Sequence, residues 1–298
     1  MRNAPMTEPR RSLFERAADV YDFNAAARAR LPGPGSDPRP PLELGRRYTD
    51  AARPATPNRR GSVARDALTA AGFVMPDAGV TAIAEEFRLV KRQLLQAATA
   101  ADATPRDRML LVASALPAEG KTFCAVNLAL SIAAEKDFEV LLVDADVAKP
   151  TIPALLGLED GPGLMDAIAD PRLDVEGCII RTDIGNLSVL PAGSIRNDAT
   201  ELLASDRTRA VLDRIATQRT NRIVLFDSPP ALAASPASEL AHHVGRVVMV
   251  VRADQTGETE LREAVALLSG CDDIRLLLNA AALASGGRRF GSYYGQVG

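Results

Sequence analysis

Lysine is scarce in this 298-residue chain: Lys91, Lys121, Lys136 and Lys149 are the only four among 35 basic residues. A lysine inside a phosphate-binding pattern is therefore worth notice. Cysteine is sparse as well. Cys124, Cys178 and Cys271 lie far apart with no metal-ligand spacing, which suits a reducing compartment better than a disulfide framework. Cys124 falls near the start of an apolar helical stretch, where packing is the expected role. No apolar run approaches the roughly 18 residues a membrane span needs. Residues 1–14 are polar, Pro-broken and basic, unlike a secretory leader. A cytoplasmic location is expected. The balance of 35 basic against 38 acidic residues gives no reason to expect nucleic acid as a partner. His242 and His243 have no Cys or His neighbours that would make them metal ligands.

Composition divides the chain near residue 80. Half of the 20 prolines precede it, together with many arginines and few apolar residues after Phe23. Residues 1–79 are expected to be largely disordered, because such a segment buries too little apolar surface to offset its ordering entropy. Within it, Arg11 to Phe23 places Leu13, Phe14, Ala17, Val20 and Tyr21 near helical spacing, compatible with a short docking helix or a transient one.

From Val80 onward the pattern is globular. Thr81 to Gln96 reads as a helix with an apolar stripe of Ile83, Phe87, Val90 and Leu94 or Leu95. Six short apolar runs follow: Met109 to Ala113, Val140 to Val143, Leu187 to Leu190, Ile223 to Phe226, Val247 to Val251 and Ile274 to Leu278. They alternate with helix-like stretches, among them Lys121 to Glu135, Ala199 to Gln218 and Glu258 to Ser269. The expected fold is α/β, a mainly parallel sheet covered by helices on both faces. Ligands of such sheets bind beyond the C-terminal ends of the strands.

The run Met109 to Ala113 leads into Ser114-Ala-Leu-Pro-Ala-Glu-Gly-Lys-Thr122 and then an apolar helix. Ala115 to Thr122 fits the P-loop spacing, with Ala where the first Gly usually stands. In a P-loop the backbone N–H groups of Ala118, Glu119, Gly120, Lys121, Thr122 and Phe123 wrap the phosphates. The Lys121 ammonium reaches the terminal ones, and the Thr122 hydroxyl ligates Mg²⁺. Two other strand ends carry acid: Asp144 and Asp146 after Val140-Leu-Leu-Val, and Asp227 after Ile223-Val-Leu-Phe. Hard oxygen ligands suit Mg²⁺, and one carboxylate could instead orient or deprotonate an attacking hydroxyl. Asn279, after the last strand-like run, is the candidate adenine contact, since no Asn-Lys-x-Asp guanine-reading motif is present.

The combination Pro-Ala-Glu-Gly-Lys-Thr, Leu-Leu-Val-Asp-Ala-Asp-Val-Ala-Lys-Pro and Phe-Asp-Ser-Pro-Pro resembles the bacterial tyrosine kinases of exopolysaccharide synthesis. Within them the chain is most similar to the tyrosine autokinases of exosortase-linked (PEP-CTERM) loci. The resemblance spans about residues 80 to 298, with Glu85-Glu-Phe-Arg-Leu-Val-Lys-Arg-Gln-Leu-Leu95, Thr200-Glu-Leu-Leu-Ala-Ser205 and the Tyr293-Tyr294 ending adding to it. It implies a deviant-Walker P-loop NTPase with ATP and Mg²⁺ as cofactors. Lys121 would bind phosphate, and Thr122, Asp146 and Asp227 would support the metal. Asp144 would activate the tyrosine, a role it could exchange with Asp146. The resemblance further implies a homo-oligomer contacted through Glu85, Arg88 and Lys91, where relatives carry Arg at the third position. Its implied partners are a membrane chain-length-determinant-type activator, which would hold the chain at the inner membrane, and a tyrosine phosphatase. Ala148 stands where many members carry Arg, and in this departure the chain is similar to the exosortase-linked branch.

Only four tyrosines occur, and Tyr293 and Tyr294 are adjacent in a Gly- and Ser-rich ending, residues 284–298. Such a tail is expected to be mobile and able to bring a phosphoacceptor hydroxyl to a nucleotide site. The rival reading is a non-kinase ATPase that gates or positions a membrane-associated assembly. Leu116 stands where the positioning ATPases of the superfamily place a signature Lys, which counts against it.

Overall fold

β-Branched and leucine-rich runs assemble into one eight-stranded sheet. A computed structural model describes residues 59–79 and 81–281, all within the unit Ala52–Gly298. The strands are β1 (Arg59–Gly61), β2 (Met109–Ser114), β3 (Glu139–Asp144), β4 (Ile180–Thr182), β5 (Leu187–Leu190), β6 (Arg222–Asp227), β7 (Arg246–Arg252) and β8 (Ile274–Asn279). Their order across the sheet is β1-β4-β5-β3-β6-β2-β7-β8. The pairings β5–β3, β3–β6, β6–β2, β2–β7 and β7–β8 are parallel. β4 runs antiparallel to β5, and β1 pairs with β4.

Both faces of the sheet are covered, which is why its central strands carry almost no polar residues. On one face Leu111, Leu141, Val143, Val224, Phe226, Val247 and Met249 join the short helices Leu164–Ala169 and Pro236–Ala241 and the longer Asp206–Thr217. On the other, Leu110, Val112, Val140, Leu142, Ile223, Leu225, Val248 and Val250 pack under helices Ala82–Ala98 and Lys121–Ala133. Neighbouring residues alternate between the two cores, as the period of a strand requires.

Helix Ala82–Ala98 begins where its sequence says it should: the Thr81 side chain accepts the Ala84 amide at 3.2 Å. It buries Phe87, Leu94, Leu95 and Ala98, each large side chain contributing about 1.5–3 kcal/mol. Cys124 is buried in the next helix, and burial pushes its thiol up to about 12, with Asp227 adding to the effect. That thiol is inert and packs, as expected.

Two expectations need correction. The ordered fold starts well before residue 80. Arg59–Gly61 adds a strand, Arg65–Ala70 is a helix, and Val63, Leu68, Phe73 and Met75 are buried in the second core. The stretch Ala199 to Gln218 is two helices, Ala199–Leu203 and Asp206–Thr217. The Ser205 and Thr208 hydroxyls both donate to the Leu202 carbonyl, at 2.6 and 2.7 Å, and end the first helix there. β4 was not legible as a strand. Among the described residues no helix is long and apolar enough to cross a membrane. The possible docking helix at Arg11 to Phe23, the tail 284–298 and Tyr293 and Tyr294 lie outside the described residues.

Candidate active site

The candidate residues Lys121, Thr122, Asp144, Asp146, Asp227 and Asn279 all gather at the C-terminal ends of β2, β3, β6 and β8, or just beyond them. The loop after β2 turns sharply into helix Lys121–Ala133 through two left-handed residues, Ala118 at φ 64° and Gly120 at φ 92°. Gly120 is obligatory there. A Cβ on it would sit 2.1 Å from Asn279 Nδ2, apart from the strain of its φ. Helix Lys121–Ala133 then presents its N-terminus, with its unpaired N–H groups, to whatever occupies the loop.

β3 and β6 are neighbours in register, with Asp144 opposite Asp227. Two aspartates are thus held side by side at the floor of the site, both fully buried. Thr122 Oγ1 donates to Asp227 Oδ2 at 2.7 Å. By giving up its proton in that direction, the hydroxyl keeps its lone pairs free for a cation. Asp144 Oδ2 accepts the Thr151 and Ile152 amides, each at 2.8 Å, at the start of helix Ile152–Leu156. Asp146 is more accessible. It lies 3.5 Å from Lys121 Nζ and accepts the Lys149 amide at 3.2 Å.

The second oxygens of the two buried aspartates, Asp144 Oδ1 and Asp227 Oδ1, have no hydrogen-bond partner. Burial pushes the Asp144 carboxyl up to about 6; the Ile152 and Thr151 amides pull against it, and the Asp146 charge adds to it. Burial likewise raises Asp227 to about 7, opposed by the Thr122 hydroxyl and Lys121 and reinforced by Asp144 and Asp146. Buried carboxylate oxygens without partners are costly, and a hydrated divalent cation would satisfy both. Among the described residues no three His, Cys, Asp or Glu side chains form a complete cage. A cation here would take its remaining ligands from phosphate oxygens and water, which is how Mg²⁺ is commonly held. Thr122, Asp146 and Asp227 fit that demand.

Three expected contacts take a different form. The Phe123 ring turns into the core, 5.1 Å from the Phe73 ring and 6.3 Å from that of Phe87, so only its backbone faces the site. The Glu119 side chain also turns inward. It is 3% exposed, accepts the Leu116 amide at 2.8 Å and receives a bond from the Thr256 hydroxyl. Asn279 Nδ2 donates to the Glu119 carbonyl at 2.9 Å, which fixes Asn279 against the phosphate loop.

The residues expected at an oligomer contact lie on helix Ala82–Ala98, apart from this site. Glu85 pairs with Arg88 one turn on. Lys91 is buried, donates to the Ser131 carbonyl at 2.9 Å and pairs with Glu135 at 2.6 Å. Its ammonium binds two helices of the same chain together, so only Glu85 and Arg88 stay at the surface for a neighbour. Sequence reasoning missed Arg252 and Thr256, although an Arg at the C-terminal tip of an apolar strand is the kind of signal that could have pointed to them.

Residues 117–264 match the family model of the AAA domain. The tyrosine-protein kinase Wzc of Salmonella typhimurium is 33% identical over 147 residues, 49% of this chain and 20% of Wzc. The tyrosine-protein kinase YwqD of Bacillus subtilis is 30% identical over 164 residues, 55% of this chain and 68% of YwqD. This chain belongs to the bacterial tyrosine-protein kinases. Among solved structures, the kinase domain of the Escherichia coli tyrosine kinase ETK superposes with a TM-score of 0.60 at 26% identity, covering 71% of this chain and 81% of that one. The chain spans only a fifth to a quarter of the length of the larger curated relatives it matches. For this kinase-family chain, a P-loop fold with helices on both faces of a mostly parallel sheet is the shared part.

Proposed function

We propose that this chain is an ATP-dependent protein-tyrosine autokinase that transfers the γ-phosphoryl group of ATP to Tyr293 or Tyr294. The observation that carries the reading is the register of Asp144 with Asp227 beneath Lys121 and Thr122, in a chain whose relatives are named tyrosine kinases. The loop amides and Lys121 hold the phosphates. Thr122, Asp146 and Asp227 would hold a Mg²⁺ ion, which would supply neutralisation of the charge on the phosphates. As the tyrosine oxygen bonds to phosphorus, the bond to ADP breaks and the phenolic proton passes to a carboxylate. Asp144 is our choice for that base. Burial raises its carboxyl to about 6 and its Oδ1 has no partner, which suits a base that acts through one water. Asn279 stands where β8 meets the loop and would contact the adenine.

The wider reading follows from the same family. We place the chain in regulation of exopolysaccharide synthesis and export, in the exosortase-linked branch. It would be held at the inner membrane by a chain-length-determinant-type activator, assemble as a homo-oligomer through Glu85 and Arg88, and be reset by a tyrosine phosphatase. The rival, a non-kinase ATPase that gates an assembly, is less well supported because the named relatives are kinases. Mass spectrometry of the full chain with ATP, Mg²⁺ and the activator's cytoplasmic segment tests the choice. Phosphate on Tyr293 or Tyr294 is expected in the wild type and absent from Lys121→Ala. No tyrosine phosphate in either protein would favour the ATPase, and phosphate in both would indicate a contaminating kinase.

A further inference from the structure

The phosphate loop is held partly by its own bonds and partly from outside. Ala118 sits in the left-handed region at φ 64°, which costs an L-residue energy that something must offset. Two separate elements reach the loop from outside. From the last residue of β7, Arg252 Nη1 donates to the Ala118 carbonyl at 2.8 Å, and from the turn that follows, the Thr256 hydroxyl donates to Glu119. From the end of β8, Asn279 Nδ2 donates to the Glu119 carbonyl at 2.9 Å. Thr256 has a double role, because its oxygen also accepts the Arg252 amide at 2.9 Å. The Glu119 carboxylate then spans the loop by accepting the Leu116 amide with its other oxygen. The chain of bonds runs from the β7 turn through Thr256 and Glu119 to the start of the phosphate loop.

We propose that Thr256 is a positioning residue for nucleotide binding: with Arg252 it clasps Glu119 and Ala118 and keeps the phosphate loop open and its buried carboxylate turned away from the phosphates. The inference rests on the nucleotide reading above and adds a residue to it. Glu119 immediately precedes Gly120 and Lys121, so its negative charge is tolerable beside phosphate only while it is held inward. Loss of the Thr256 bond leaves a buried carboxylate with the Leu116 amide alone of its two hydrogen-bond donors. It then swings toward the loop amides, where it competes with phosphate for the same N–H donors. Thr256 touches the loop and none of the reacting atoms, so the defect is expected in affinity and not in turnover.

Binding of N-methylanthraniloyl-ATP with Mg²⁺ to the full chain tests this, with wild type, Thr256→Val, Thr256→Ser and Arg252→Met compared. Thr256→Val is expected to weaken binding about tenfold, the loss of one hydrogen bond to a charged group. Thr256→Ser restores it, and Arg252→Met gives a smaller loss in the same direction. In nucleotide-free protein, amide exchange across residues 116–120 rises in Thr256→Val while β2 keeps its protection. In phosphorylation assays the KM for ATP rises and kcat is kept. Wild-type affinity and loop exchange in Thr256→Val, or an equal loss in Thr256→Ser, would overturn the clasp. Should Thr256→Val fail to fold, unchanged affinity in Arg252→Met does the same. If the wild type binds no nucleotide, the nucleotide reading falls and the clasp with it; if both bind alike, the clasp alone falls.

Discussion

Asp144 and Asp227 hold a conflict between stability and chemistry that can be measured by pH. Each carboxyl titrates near 3.8 in the unfolded chain but near 6 and 7 in the fold, because burial disfavours its charged form. Between those values the folded protein holds more protons than the unfolded one. Stability therefore falls as pH rises from about 4 to about 7 and stays low above. The melting temperature of the nucleotide-free chain is expected to drop over that window. Asp227→Asn should flatten the drop and raise stability at pH 8 by on the order of 1–3 kcal/mol, while Mg²⁺-dependent nucleotide binding is lost. Thermal melts at pH 5 and pH 8 check both arms; a flat wild-type profile would contradict the burial argument. Most of these residues could be read from the sequence, since Gly-Lys-Thr and Asp at strand tips are local patterns. Glu119 facing inward could not be read, because its partner Thr256 is 137 positions away.

At the scale of elements, the decisive segment is the one composition made look empty. β1, the Arg65–Ala70 helix and the residues up to Met75 place Val63, Leu68, Phe73 and Met75 in the second core, with the Phe73 ring against that of Phe123. A chain starting at residue 80 should lose roughly 5–10 kcal/mol of burial relative to one starting at residue 59. Chemical denaturation of the two is the test, and equal midpoints would refute it. Six strands, β2, β3 and β5 to β8, were legible because they are continuous apolar runs. β1 and β4 were not. Arg-Arg-Gly and Ile-Arg-Thr are three residues each and carry no periodicity, so pairing with a neighbour is what makes them strands. The break at Ser205 had a legible signal, a Ser followed by Asp, which a continuous helical pattern masked.

At the scale of the whole molecule, the last strand ends in contact with the site. Asn279 closes β8 and bonds the loop carbonyl of Glu119. Fourteen residues lead from Asn279 to Tyr293, and a chain of that length reaches at most about 50 Å. With Tyr293 or Tyr294 as the acceptor we propose, the tyrosine is tethered within reach of the phosphate site of its own chain or oligomer, so its supply would not depend on how many molecules are in solution. Phosphorylation per chain is expected to follow first-order kinetics, unchanged across a dilution series. A rate falling in proportion to concentration would mean that tyrosines arrive by collision. For the autokinase we propose, such a tether would make output a clock set by nucleotide turnover instead of a measure of abundance.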